Sequence, residues 1–347
     1  MSRRTLLLSC IVLFGLLVFA FGVLSMLHIP FEPADKTPAT TIWSQTYGGI
    51  REEQAYSLIQ TSDGGYALAG RTSSFGSDYS CFWLVKVDSS GNLEWNKTYE
   101  GTGFLDAMNI AYSVVEASDG GYAIAGTAEP ELYNHDFWLV KVDSSGNLEW
   151  NKTYGGPDVD VATSVVETSD GGYALAGQTS SFGDGSDNFW LVKTDVSGNM
   201  QWDKTYGGIG EEKANSLIQT SDGGYALAGE TRSSIVAMPD FWLVKVDSSG
   251  NLEWNKTYGG PDMDIAYSVV EASDGGYALA GYTDSFGAGS SDFWLVKTES
   301  IYDETDENGA IPQFPSWIIA TIAIIVIGGV ALLVYFTKVK KTTEKAE

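Results

Sequence analysis

The side chains here with the most capacity to bind or react are carboxylates that recur just after a Tyr-Gly-Gly-like string. They are Glu52 and Glu53, Asp106, Asp158 and Asp160, Glu211 and Glu212, and Asp262 and Asp264. Clustered oxygen ligands suit a hard cation such as Ca²⁺, so a ring of these groups is the candidate site for a cation or cationic ligand. The plainer reading is solvated acidic loops on an acidic protein, because no dense Asp-x-Asp-x-Asp calcium loop occurs. Two such carboxylates about 5–10 Å apart could also hydrolyse a glycoside. Against that, the segments carrying them are near-copies, whereas an acid and a base need unlike surroundings. His28 and His135 are too few and too far apart for a zinc site or a histidine-based catalytic set. No resident cofactor and no catalytic set is expected.

The net charge of −25, from 45 acidic and 20 basic residues, excludes nucleic acid as a partner, since a polyanion would be repelled. Three Asn-Lys-Thr triplets, at Asn96, Asn151 and Asn255, match the glycosylation acceptor pattern. The repeat itself generates the triplet, which lowers its specificity. Of the two cysteines, Cys10 lies in an apolar run and Cys81 in the body, so the body forms no internal disulfide and its stability must come from packing.

The elements that position these residues follow from a repeat. The string SDGGY begins at Ser62, Ser118, Ser169, Ser221 and Ser273, spaced by 56, 51, 52 and 52 residues. Each copy continues through a YALAG-like segment, a variable stretch, FWLVK, a DSSGN-like turn and W-x-K-T-Y. In the third copy four strand-like segments lie at 162–168, 173–178, 189–194 and 200–206. They are rich in Val, Leu, Tyr, Trp and Thr, and Gly-containing turns bound them. Four antiparallel strands per unit is the anatomy of a propeller blade. The expected fold is therefore all-β: a five-bladed β-propeller of four-stranded blades, strands a to d running from the centre outward.

Ring closure is expected from the strand count. The tryptophans Trp43, Trp95, Trp150, Trp202 and Trp254 lead the d-type strands, but the first precedes the first SDGGY, and the fifth unit ends at Lys297-Thr298 with no such strand after it. Pairing of residues 42–47 with the last blade would leave no open edge. Ten of the eleven tryptophans then form c/d pairs: Trp43 with Trp294, Trp83 with Trp95, Trp138 with Trp150, Trp190 with Trp202, and Trp242 with Trp254. These aromatics fill the wide outer gaps between sheets.

The d–a and b–c connections share one face of such a ring, and the a–b and c–d hairpins share the other. The hairpins are nearly identical in every copy, as turn mechanics require. The b–c connections, at 71–80, 127–135, 178–188, 230–239 and 282–291, diverge most, and varied loops on a rigid scaffold commonly build binding surfaces.

Two apolar stretches bracket this body, and each is long enough to cross a bilayer. Residues 1–30, with Arg3 and Arg4 ahead of the apolar run, read as a signal peptide or an N-terminal transmembrane anchor. Residues 31–40 are a linker, 41–298 the propeller, 299–315 an acidic and proline-containing linker, 316–336 a transmembrane helix, and 337–347 a basic tail. Lys and Arg favour the cytoplasmic side, so the tail is expected in the cytoplasm and the propeller outside the cell membrane.

The consensus T-Y-G-G … S-D-G-G-Y-A-L-A-G … F-W-L-V-K … G-N-x-x-W, over roughly residues 41–298, resembles repeats of exported archaeal and bacterial surface proteins regarded as β-propellers. Ile311-Pro312-Gln313-Phe314-Pro315 before the final apolar stretch resembles the PEF-type sorting signal of archaeal surface proteins, with Gln313 where that family has Glu. A weaker likeness, through Asp88, Gly91, Asn92 and Trp95, is to the tryptophan-docking repeat of quinoprotein dehydrogenases, whose metal and quinone ligands have no counterpart here. These resemblances imply a membrane-anchored surface propeller for adhesion, glycan or protein binding, or scaffolding. The alternatives are an extracellular glycoside hydrolase and a purely structural envelope glycoprotein.

Overall fold

A computed structural model of the chain describes residues 42–76, 80–101, 108–131, 134–232 and 238–299. The two bracketing apolar stretches lie outside the described residues, among which no helix is long and apolar enough to cross a membrane. Nineteen strands form five antiparallel sheets there, each ordered as in the sequence.

Sheet 1 contains β1 (Glu53–Gln60), β2 (Tyr66–Thr72), β3 (Cys81–Val87) and β4 (Leu93–Tyr99). Sheet 2 contains β5 (Ile110–Glu116), β6 (Tyr122–Glu131), β7 (Asn134–Val142) and β8 (Leu148–Tyr154). Sheet 3 contains β9 (Asp160–Glu167), β10 (Tyr173–Thr179), β11 (Asn188–Thr194) and β12 (Met200–Tyr206). Sheet 4 contains β13 (Glu212–Gln219), β14 (Tyr225–Thr231), β15 (Asp240–Val246) and β16 (Leu252–Tyr258), and sheet 5 contains β17 (Asp264–Glu271), β18 (Tyr277–Thr283) and β19 (Asp292–Lys297). Each sheet is a propeller-like blade.

Short side-chain loops fix the hairpins. In the SDGG turn, Asp63 Oδ1 accepts from the Gly65 N–H at 2.9 Å and from Thr61 Oγ1 at 2.5 Å. In the DSSGN turn, Asp88 Oδ1 accepts from the N–H groups of Ser90 and Asn92, and Asn92 Nδ2 donates to Asp88 Oδ2. These are Asx-type turns, which explains why the strings recur. Strand a carries a bulge between Ala55 and Ser57, opposite Gly70, where an added Cβ would lie 1.9 Å from the Gln54 carbonyl oxygen. Glycine is therefore built into every YALAG strand by the approach of strand a's backbone.

The Lys of FWLVK is a buried post inside each of the first four sheets. Lys86 Nζ donates to Asp63 Oδ2 at 2.8 Å, to Glu94 Oε2 at 2.7 Å and to the Val87 carbonyl at 3.2 Å. Lys141, Lys193 and Lys245 do the same with Asp119, Asp170 and Asp222. A buried ammonium needs this full set of acceptors, and it ties the a–b hairpin to strand d.

Hydrophobic cores lie between successive sheets, and strand alternation sorts the side chains. On β3, Phe82 and Leu84 join a core with Val114, Ile124, Trp138 and Val140 of sheet 2, while Trp83, Val85 and Val87 face the other way. The two tryptophans of a sheet consequently do not stack on each other. Trp95 meets Tyr122 of the following sheet at 5.8 Å between ring centroids, while Trp138 receives Phe82 of the preceding one at 4.3 Å. Four of the expected c/d pairs do sit on adjacent strands, with one indole serving each face, whereas Trp43 meets Tyr66 of sheet 1 and does not pair with Trp294.

The closing pairing is likewise not made. Sheet 5 has three strands, and residues 42–47 form no ladder with β19. Strands a pack in the series β1, β5, β9, β13, β17, while Leu58 on β1 and Phe293 and Leu295 on β19 are left exposed. The physical reason is that residues 42–47 are held on sheet 1 instead, where Trp43 meets Tyr66 and the Tyr47 hydroxyl bonds the Gly91 carbonyl.

Two outcomes follow. Trp190, 1% exposed, should cost about 3–5 kcal/mol of unfolding free energy when changed to Ala, measured by denaturant titration. Hydrogen bonds from Thr168 and Lys193 outweigh desolvation and hold Asp170 at about 2, and Asp222 is held there likewise. A carboxyl titrating below its unfolded value stabilises fully above about pH 4 and loses that contribution as pH falls toward 2. The acid limb of a stability–pH profile should therefore lie in that window and flatten in Asp170→Asn.

Candidate functional site

The d–a and b–c connections meet at one end of the sheets. The Arg51 N–H donates to Ser74 Oγ at 2.8 Å, the Asp158 N–H to Ser181 Oγ at 3.0 Å, and the Asp262 N–H to Ser285 Oγ at 3.0 Å. Every described carboxylate of the expected ring lies at this end, but the set divides in two. Asp106 lies outside the described residues.

Glu53, Asp160, Glu212 and Asp264 begin strand a and brace their own loops. Each accepts a backbone N–H four residues upstream: Gly49 to Glu53 at 3.1 Å, Gly156 to Asp160 at 2.9 Å, Gly208 to Glu212 at 3.0 Å and Gly260 to Asp264 at 2.9 Å. Each also accepts a hydroxyl from the b–c side, from Thr72, Ser181, Thr231 or Ser285. Asp160, Glu212 and Asp264 are buried. Burial pulls Glu53 upward, but its bonds from Ser74, Gly49 and Thr72 win and hold it below the usual carboxylate range. Burial dominates at Glu212, reinforced by Asp187 and Glu211, and raises it.

The remaining members face outward. Glu52 pairs with Arg71 at 3.0 Å and Glu211 with Arg232 at 3.1 Å. Asp158 and Asp262 are exposed. Among the described residues no three His, Cys, Asp or Glu side chains gather closely enough to hold a metal ion. The arrangement offers separate acidic points, several already neutralised, along an irregular surface.

What sequence reasoning missed at this end is a shelf of apolar side chains. Phe75, Phe182 and Phe286 are exposed, and each leans on the Trp of its own strand c, at 5.7, 5.2 and 5.2 Å from Trp83, Trp190 and Trp294. Their backbone N–H groups bond the Thr that ends strand b. Ile50, Ile209 and Met238 add exposed apolar surface. The signal was available as Ser-Phe-Gly at 74–76, 181–183 and 285–287. The b–c connections of sheets 1, 3 and 5 thus share a built core, and the real divergence belongs to sheets 2 and 4.

The glycosylation candidates also have structural work. Asn96, Asn151 and Asn255 are exposed, and their Oδ1 atoms accept the indole N–H of Trp83, Trp138 and Trp242 at 3.3, 3.3 and 3.1 Å. Asp203 does the same for Trp190 at 3.0 Å, so the position needs an acceptor with or without a glycan.

No family model matches the chain. Over 205 residues, 55% of its length, it is 28% identical to regulatory protein FlaEY of Caulobacter vibrioides, and it spans only 20% of that protein. An endo-arabinase of Bacteroides thetaiotaomicron covers 74% of this chain and all of its own at 9% identity, with a TM-score of 0.39. An endo-1,5-α-L-arabinanase of Thermotoga petrophila covers 69% of this chain and 75% of its own at 11% identity and 0.34. A hypothetical protein of Leishmania major covers 75% and 89% at 11% identity and 0.36. Scores this low assign the chain neither a blade number nor an activity.

The division of the carboxylates predicts opposite responses to truncation. Asp160→Ala removes two bonds to a buried carboxylate and should cost about 2–3 kcal/mol, whereas Asp158→Ala should stay within about 0.5 kcal/mol of the parent. Chemical denaturation of both variants, side by side, checks the pair.

Proposed function

We propose that the chain is a cell-surface binding or adhesion module that presents its loop-bearing end to an extracellular glycan or protein. One observation carries the reading: the two ends of the sheets are built differently. At the hairpin end, the carboxylates and amides of the recurring strings are spent on their own turns and on the buried lysines. At the loop end, exposed Phe, Ile and Met side chains stand beside exposed Asp158 and Asp262 on a scaffold fixed by hydrogen bonds. A mixed apolar and acidic surface on rigid elements is suited to recognition. Both carboxylate oxygens of Glu53 and Glu212 are engaged by backbone and hydroxyl donors, which speaks against acid–base roles for these two.

In this reading the apolar stretches at 5–27 and 317–336 export and tether the module, with the basic tail inside the cell. Glycans on Asn96, Asn151 and Asn255 would decorate its outer strands. The variable connections of sheets 2 and 4 set ligand choice, and the Ser-Phe-Gly shelves of the other sheets supply common contact area.

A glycan array probed with the chain, beside Phe75→Ala/Phe182→Ala/Phe286→Ala and a variant with residues 233–237 shortened, tests the proposal. Bound signal should fall at least tenfold in one or both variants. Unchanged binding in both, or hydrolysis of an arrayed glycan, would remove the loop end as a pure recognition surface.

A further inference from the structure

The four joints between sheets share three directional contacts. Strand d of each sheet sends its Trp against the Tyr that opens strand b of the next, at 5.8, 5.9, 5.9 and 5.7 Å for Trp95, Trp150, Trp202 and Trp254. Strand c sends its Phe onto the next Trp, from Phe82–Trp138 to Phe241–Trp294, at 4.3 to 4.6 Å. The Ser of strand a accepts the backbone N–H of the next strand a at 3.2 Å in all four cases. Each sheet therefore has a donor face and a receiving face that are complementary to each other.

Both kinds of face stand open at the ends. On sheet 5, Phe293 is fully exposed and Leu295 is 70% exposed, while Phe82, Phe137, Phe189 and Phe241 are at 0%. On sheet 1, Leu58 is 62% exposed, while its counterparts Val114, Val165, Leu217 and Val269 are at 4% or less. A cavity on the same sheet is lined by Tyr47 and by Leu68, Trp83 and Val85, the last three being counterparts of Ile124, Trp138 and Val140, which share a core with Phe82 in the first joint.

Residues 42–47 occupy this receiving face as the outer strand of an absent preceding sheet would. Trp43 meets Tyr66 at 6.1 Å, and Tyr47 donates its hydroxyl to the Gly91 carbonyl at 2.6 Å. Tyr99, Tyr154 and Tyr206 make that bond across the internal joints at 2.9, 2.7 and 2.8 Å. The segment is thus a fourth strand without its sheet, and sheet 5 is a sheet without its fourth strand.

We infer that sheet 5 of one copy docks on sheet 1 of a second copy of this chain, and that residues 42–47 of the second copy complete sheet 5 as its outer strand. A second copy is favoured because the chain itself leaves Phe293, Leu295 and Leu58 uncovered, and adding a copy extends the series without altering any existing joint. Such a head-to-tail contact is heterologous, so repetition closes a ring or continues as a filament according to the rotation per joint. The register of β3 with β4, in which Val85 faces Asn96, places Ser44 opposite Val296.

The test uses the full chain in mild detergent with Cys10→Ser as background. Chains carrying only Ser44→Cys and chains carrying only Val296→Cys, bearing different tags, are mixed and oxidised. A disulfide joining the two tags is expected, together with a sedimenting species at twice the monomer mass or more. Phe293→Asp, at a fully exposed site, should abolish both. The inference is overturned if the mixture stays unlinked, or if a chain carrying both cysteines closes only on itself as a monomer.

Discussion

The joints between the first four sheets rest on the seating of one tryptophan against a glycine of the next sheet. A Cβ at Gly146, Gly198 or Gly250 would come within 2.7, 2.5 or 2.7 Å of the ring of Trp95, Trp150 or Trp202. The same glycines hold positive φ values of 75°, 73° and 76° in their hairpins. One residue type therefore satisfies a turn conformation and a packing contact together, and any side chain there would damage both. The Tyr hydroxyl, the Phe–Trp contact and the Ser-to-backbone bond join the same sheets. Because each joint uses both faces of a sheet differently, the array has a polarity, and its two ends cannot be alike.

That polarity separates stability from function. The hairpin end and the inter-sheet cores consume the recurring residues: Asp63, Lys86 and Glu94 within a sheet, and Glu116 with Ser62 across a joint. Substitution there is constrained by buried charge and close packing. The loop end is free of such demands beyond the brace at the start of strand a, so its sequence can drift, and residues 127–135 and 230–239 have drifted furthest. Sequence variation is concentrated where it is structurally inexpensive.

Strand identity, order within a sheet and hairpin type were legible because period-two patterns and Asx turns are local. Ring closure was read from a strand count; residues 42–47 carry a fourth-strand pattern, but they form no ladder and lie against sheet 1 through Trp43 and Tyr47. What a linear pattern does not encode is the angle between successive sheets, so the destination of that strand was out of reach. The carboxylates show a similar limit. Glu52 and Glu53 are neighbours of one type, yet one pairs with Arg71 and the other braces the backbone, a difference set by strand alternation at the start of β1. The adjacent c and d strands of four tryptophan pairs were legible, but not that Trp83 and Trp95 fall on opposite faces, which follows once the register places Lys86 opposite Trp95.

The equivalence of the joints is the central claim, and the tyrosine hydroxyls of the outer strands report on it directly. Tyr99, Tyr154 and Tyr206 are each buried and each bond a glycine carbonyl of the following sheet. Equilibrium unfolding of the three single Tyr→Phe variants measures the three joints separately. The account predicts similar losses of about 1 kcal/mol at each position. Stabilities unchanged at all three, or a loss confined to one, would contradict a repeated, directional joint.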